Sequence, residues 1–260
     1  MTQIIKLGGS VITRDSATSP FDAVNTARLA RELAPHAHDT ILVHGTGHVG
    51  KPFAIDHDYV CSGLIGANRK LLASTINSAL HRLNEAVVDT LCRAGIAAYS
   101  VDPAIHFDQQ MMNFRAADFG PQLKQLLQAG RVPVFFGTLM PLGNGEFRVF
   151  SSDRITKILA QNMAPDKVVF LSDVAGVFDR DVNSDPLAQP MPVVARDNLS
   201  SMFADESDKH DVSGGMRAKI EYAIDIATHT KRCIVASGVE HGLVTRLLSG
   251  DDVVCSEIRP

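Results

Sequence analysis

Short runs of apolar, often β-branched residues alternate along the chain with longer segments in which apolar residues recur every three or four positions. The runs IIKL (4–7), TILVH (40–44), AAYSV (97–101), VPVFF (132–136), KVVFLS (167–172) and CIVAS (233–237) have the length and composition of buried strands. Helical periodicity lies between them: RLARELAPH (28–36), NRKLLASTINSALHRLNEAVVDTLCRAG (68–95), FGPQLKQLLQAG (119–130), DRITKILAQNM (153–163) and MRAKIEYAIDIATH (216–229). In the longest, Leu72, Ile76, Leu80, Leu83 and Val87 form one apolar stripe. Gly95, Gly130 and Pro165 stand where helices should stop. Strand–helix–strand alternation predicts an α/β fold, a three-layer sandwich with a central, largely parallel open sheet. There is no repeat, low-complexity tract or linker. Residues 179–215 are polar and rich in Asp, Ser and Pro, and read as exposed loops and short hairpins of the kind that cover a ligand.

Bulk properties narrow the function classes. At 260 residues the chain suits one α/β domain or two intimately joined lobes. A net charge of -4 gives no attraction to nucleic acid or to an anionic membrane. The opening residues show no signal peptide, and no stretch approaches the roughly 18 apolar residues of a membrane span, so a cytoplasmic protein is expected. Cys61, Cys92, Cys233 and Cys255 are far apart and read as buried free thiols.

The stretch GTGHVGKP (45–52) fits two phosphate-loop patterns at once. As a dinucleotide fingerprint it lacks the acidic residue expected about 20 positions further on. As a P-loop it lacks the final hydroxyl, because Pro52 stands there, although VVFLSD ending at Asp173 resembles the accompanying strand. Three glycine-lined cradles are better treated together. Lys6 precedes the Gly8-Gly9-Ser10 turn, Gly45-Thr46-Gly47 follows the second strand, and Gly214-Gly215 opens a helix with Lys219 in its first turn. Backbone N–H groups at such turns and helix starts favour anions, and the lysines add fixed cations. The combination suits a ligand with several phosphates.

Taken in order, KLGGSVITRD, HGTGHVGKPFA, VPVFFG, SSDRIT, LSDVAGVF and DVSGGMRAKI resemble the amino acid kinase superfamily. Within it the likeness is to isopentenyl phosphate kinases and the related fosfomycin kinases. The resemblance implies ATP as phosphoryl donor, with Mg²⁺ held mainly by ATP phosphates and water and no protein metal ligand assigned. It implies an N-terminal lobe, 1–148, for the acceptor and the glycine loops, and a C-terminal lobe, 149–260, for the nucleotide, joined as one continuous domain, and a homodimer. Lys6 and Lys219 would neutralise the transferring phosphoryl group and Asp153 would orient them; Asp153 could also serve as a helix N-cap. Gly8, Gly9, Ser10, Asp173, Gly176, Gly214, Gly215 and Lys219 would hold the nucleotide. Gly45, Thr46, Gly47, His48, Gly50, Lys51, Asp15 and Gly137 would face a small anionic acceptor.

Two positions depart from the isopentenyl phosphate and fosfomycin kinases. Lys51 stands where those kinases carry an acceptor-gripping histidine, and Asp15 where they carry a lysine. Lys51 either grips the acceptor, with His48 assisting, or pairs with Asp15. A kinase for a phosphonate, carboxylate or specialised metabolite, and a degenerate nucleotide-binding sensor or storage protein, are the alternatives.

Overall fold

Gln3–Leu7 is a fully inner strand, flanked in parallel by Thr40–His44 on one side and Lys167–Ser172 on the other. The computed structural model describes residues 2–16, 18–57, 62–108, 110, 113–180, 185, 187–202 and 215–260. Its main sheet has eight strands, in the order Val193–Val194, Cys255–Ile258, Arg232–Ser237, Lys167–Ser172, Gln3–Leu7, Thr40–His44, Val132–Phe136, Ala98–Ser100. The six from Arg232–Ser237 onward are parallel. Cys255–Ile258 runs antiparallel to its inner neighbour, and Val193–Val194 follows it.

Successive side chains of a strand point to opposite faces. Ile4 therefore enters one core, with Leu123, Ile155 and Ile224, while Ile5 and Leu7 enter the other, with Leu29, Leu83 and Leu243. The helices Phe119–Gln128, Ser152–Met163 and Gly215–Ala227 cover the first face. Ala23–Leu33, Lys70–Arg93 and Leu243–Ser249 cover the second. This is the three-layer sandwich expected from the alternating pattern. Lys6 shares the face of Ile4, so its side chain is directed toward the helices that carry Asp153 and Lys219.

A smaller cluster beyond the sheet, including Ala54, Ile65, Ile76, Leu80 and Leu139, joins the long helix to the hairpin Thr138–Pro141 and Phe147–Phe150. The segment expected to be only a glycine loop winds into a helix, Gly47–Asp56, with Pro52 inside it. Burial of Ala54 and packing of Phe53 against that cluster outweigh the breakers. The Ala23–Leu33 helix starts earlier than its pattern predicts, because Asp22 caps it through a 3.0 Å bond from the Asn25 N–H. Val193–Val194 and the helix Arg196–Met202 lie in the segment read as loops.

One buried polar cluster ties the second face together. Glu32 accepts from the N–H groups of Gly242 (3.0 Å) and Val244 (3.1 Å) at the start of the Leu243–Ser249 helix. It also pairs with buried Arg28, which donates to the carbonyls of Gly238 and Glu240. Burial alone would raise the Glu32 carboxyl, but these backbone N–H groups and Arg28 hold it below its ordinary value. Of the cysteines, Cys233 is buried, and burial pushes its thiol up to about 12. Contrary to expectation Cys92 is exposed, because it falls on the outer face of its helix; Cys61 lies outside the described residues. Among the described residues no helix is long and apolar enough to cross a membrane.

Candidate active site

The parallel strands all release the chain at one edge, and most release it into glycine. Gly8 N–H donates to Leu171 O (2.8 Å), Gly45 N–H to Leu7 O (2.9 Å) and Gly137 N–H to His44 O (3.0 Å). The sheet ladder thus continues past each strand and fixes where each loop begins. From Gln3–Leu7 the chain steps to Thr40–His44 on one side; from Lys167–Ser172 it steps to Arg232–Ser237 on the other. Such a reversal opens a crevice at the carboxyl ends of the two inner strands, the usual ligand site of an open α/β sheet.

The first two glycine loops touch backbone to backbone. A Cβ on Gly45 would lie 2.7 Å from Gly9 N, and Gly47 holds a φ of +45°. The Thr13 hydroxyl staples the loops: it donates to Gly9 O (2.6 Å) and accepts from the His48 N–H (2.9 Å). Behind them His44 is buried, with Nδ1 2.9 Å from Gly45 O and Nε2 against Asn84. Burial pushes the His44 imidazole below its ordinary value, so it is neutral and has one N–H to give.

A cavity of about 310 Å³ opens over these loops, at the small end of the range for ligand sites. Lys6, Asp153 and Lys219 all line it. Lys6 is 7% exposed, donates to Asp153 Oδ1 at 2.7 Å and stands 5.7 Å from the centroid of the Phe170 ring. An ammonium carries more N–H groups than one carboxylate oxygen uses, so Lys6 keeps capacity for a ligand oxygen. The N-cap of the Ser152–Met163 helix is Ser151, which accepts from the Arg154 N–H at 3.3 Å. Asp153 is not the cap; it sits in the first turn, where the helix dipole favours its charge. The helix Gly215–Ala227 starts at Gly215, so Lys219 opens its second turn rather than lying in its first.

Most of the remaining candidates gather here. Gly8, Gly9, Ser10 and Asp173 line the cavity, as do Gly45, Thr46, Gly47, His48, Gly50, Lys51 and Gly137. Three do not. Gly176 packs against the strand Cys255–Ile258, where a Cβ would meet Ser256 Oγ at 2.6 Å, and its neighbour Val177 reaches the cavity instead. Asp15 is exposed and away from the cavity lining, and forms no ion pair with Lys51. Gly214 lies outside the described residues, and Gly215 opens the helix Gly215–Ala227. Sequence reasoning missed the apolar part of the cavity lining, which includes Ile76, Leu80, Leu139 and Phe150. It also missed Thr13 and Thr138. The heptad-like spacing of Ile76 and Leu80 was visible, but it marks a core stripe and a ligand wall alike.

A central parallel sheet with glycine turns, two lysines and a buried carboxylate at its switch point defines a phosphate-handling α/β enzyme. The chain belongs to the amino acid kinase family, whose sequence model matches residues 1–237, and it is an ATP-dependent small-molecule phosphotransferase. It is similar to the isopentenyl phosphate kinase of Methanothermobacter thermautotrophicus, 30% identical over 260 residues, covering 96% of this chain and 96% of that one. The isopentenyl phosphate kinase of Haloferax volcanii is 32% identical over 224 residues, 84% of this chain and 85% of its own. An X-ray structure of an isopentenyl phosphate kinase superposes with a TM-score of 0.82 at 26% identity, covering 99% of this chain and all of the other.

Proposed function

We propose that the protein transfers the γ-phosphoryl group of ATP to isopentenyl phosphate or a monophosphate of similar size. One observation carries the acceptor: the cavity lining combines polar groups, among them Lys51, His48 and the second glycine loop, with the apolar side chains Ile76, Leu80, Leu139 and Phe150. An acceptor with an anionic head and a short apolar tail matches both kinds of lining. The names of the relatives agree.

In this reading an oxygen of the acceptor phosphate attacks the γ-phosphorus in line. A P–O bond forms to the acceptor as the bond to ADP breaks, and ADP leaves with the electron pair. Such a transfer needs positioning and cations around the equatorial oxygens more than covalent chemistry. Lys6 and Lys219 supply the cations, and Asp153 holds Lys6 in place. N–H groups of the first two glycine loops orient the phosphates, while Asp173 and the turn after it shape the nucleotide end. The carboxylates here are oxygen donors of the kind a hard cation tolerates with its waters retained. They fit Mg²⁺ carried by the nucleotide phosphates, which would add charge neutralisation. The retained Lys6–Asp153 pair speaks against a degenerate sensor.

The test is ATP consumption against isopentenyl phosphate, dimethylallyl phosphate, fosfomycin and amino acids. The specificity constant should be highest for the two isoprenoid monophosphates. Preference for fosfomycin or an amino acid would replace this acceptor with a phosphonate or carboxylate. Lys51 is expected to act as the acceptor grip. Lys51→Ala should raise the KM for isopentenyl phosphate about tenfold, the lower range for a charge-assisted contact because Lys51 is exposed. Asp15→Ala should leave that KM unchanged, since solvent and salt screen an exposed charge outside the cavity. Equal effects of the two substitutions would show that Lys51 works through Asp15 after all.

A further inference from the structure

Thr138 is 2% exposed and lines the cavity, yet its Oγ1 has no hydrogen-bond partner. Among the described residues it is the one buried side-chain nitrogen or oxygen so placed. Folded proteins pair nearly all such atoms, because an unpaired buried hydroxyl costs stability. Valine has the same shape without that cost.

The location of Thr138 gives the hydroxyl a use. It pairs across the hairpin with Phe150 and directly follows Gly137. A Cβ on Gly137 would lie 2.9 Å from Thr46 Cγ2 and 3.6 Å from Ser152 N, so this backbone abuts the second glycine loop and the start of the Asp153 helix. The neighbours of Thr138 along and across the hairpin, Leu139 and Phe150, are apolar residues of the same lining. Thr138 therefore stands between Gly137, which abuts the second glycine loop, and the apolar lining residues Leu139 and Phe150. Rotation about χ1 exchanges its hydroxyl and methyl positions, so one side chain can present either group to the cavity wall.

We infer that Thr138 is an acceptor-binding residue, whose hydroxyl donates a hydrogen bond to an oxygen of the acceptor's anionic head where the head joins the apolar tail. An anionic head offers only lone pairs, so the hydroxyl must be the donor, and a charged acceptor shortens and strengthens such a bond. The ligand completes a bond that the fold leaves open. This inference rests on the acceptor site proposed above.

It makes stability and binding move in opposite directions. Thr138→Val should melt at the wild-type temperature or up to roughly 2–4 °C higher, since it removes a buried unpaired hydroxyl. The same variant should weaken isopentenyl phosphate at least about tenfold, in calorimetric Kd and in KM, with the KM for ATP unchanged. Thr138→Ser keeps the hydroxyl and should bind within about threefold of wild type. A Thr138→Val variant that binds isopentenyl phosphate normally, or that melts several degrees lower, overturns the inference; the latter result would mean that the hydroxyl has a partner in the fold. Wild-type protein that fails to bind isopentenyl phosphate overturns the acceptor assignment instead. The melting temperatures then decide the hydroxyl by themselves: a Thr138→Val gain supports an open bond, and a loss sinks it.

Discussion

Lys6→Ala and Lys219→Ala should each lower turnover by roughly 10²–10³-fold, about 2.7–4 kcal/mol of transition-state stabilisation. Each removes a cation from a cavity where water cannot replace it in the same position. The loss should appear mainly in kcat, because equatorial charge is met most fully in the transition state. Lys6 carries a complication of its own. Its removal leaves Asp153, which is 8% exposed, without its ammonium partner. An unpaired buried carboxylate destabilises the fold, so Lys6→Ala should be compared with a Lys6→Ala, Asp153→Asn double variant. If the charge on the phosphoryl group is what matters, the double variant regains stability and no turnover. Steady-state rates well below each variant's melting temperature make the comparison. Wild-type turnover in either lysine variant would remove that lysine from the reaction.

Glu32→Ala should cost about 3–5 kcal/mol of folding stability while leaving the reaction nearly untouched at low temperature. It strips the partner from buried Arg28 and uncaps two N–H groups of the Leu243–Ser249 helix. The pH dependence follows from the lowered Glu32 carboxyl. A depressed folded-state value means that the stabilisation is fully present above the ordinary carboxylate value and disappears as pH falls through the folded one. The gap between wild type and Glu32→Ala should therefore be constant from about pH 5.5 to 8 and should shrink steadily below about pH 4.5. Urea denaturation at a series of pH values measures it. A gap that persists unchanged at pH 3 would show that Glu32 acts by packing and not by charge.

Each strand core on the expected list is present, and the reason is local. A strand buried on both faces needs a continuous apolar run, so VPVFF and KVVFLS announce themselves without knowledge of their neighbours. Strand alternation puts Lys6 on the face of Ile4 and away from Ile5 and Leu7. Gly8, Gly45 and Gly137 were legible because each follows an apolar run, and the loops at strand ends are where such sheets bind ligands. Helix Gly47–Asp56 was not legible: Gly47, Gly50 and Pro52 oppose it locally, and only the cluster around Ile65 and Leu80 makes it favourable.

By itself, then, the sequence determined which segments become strands, which side chains share a face, and which turns can approach an anion. These follow from covalent geometry and from the spacing of residues a few positions apart. The tertiary structure decided who meets whom. The ion pair of Lys6 with Asp153 spans 147 positions and depends on the order of strands across the sheet. The sequence left Lys51 either as an acceptor grip or as a partner of Asp15, yet only Lys51 reaches the cavity. Thr138 is an unremarkable strand residue until the hairpin, the glycine loop and the Asp153 helix close around it and bury its hydroxyl without a partner. No local pattern encodes that outcome, because burial and pairing belong to surroundings drawn from the whole chain.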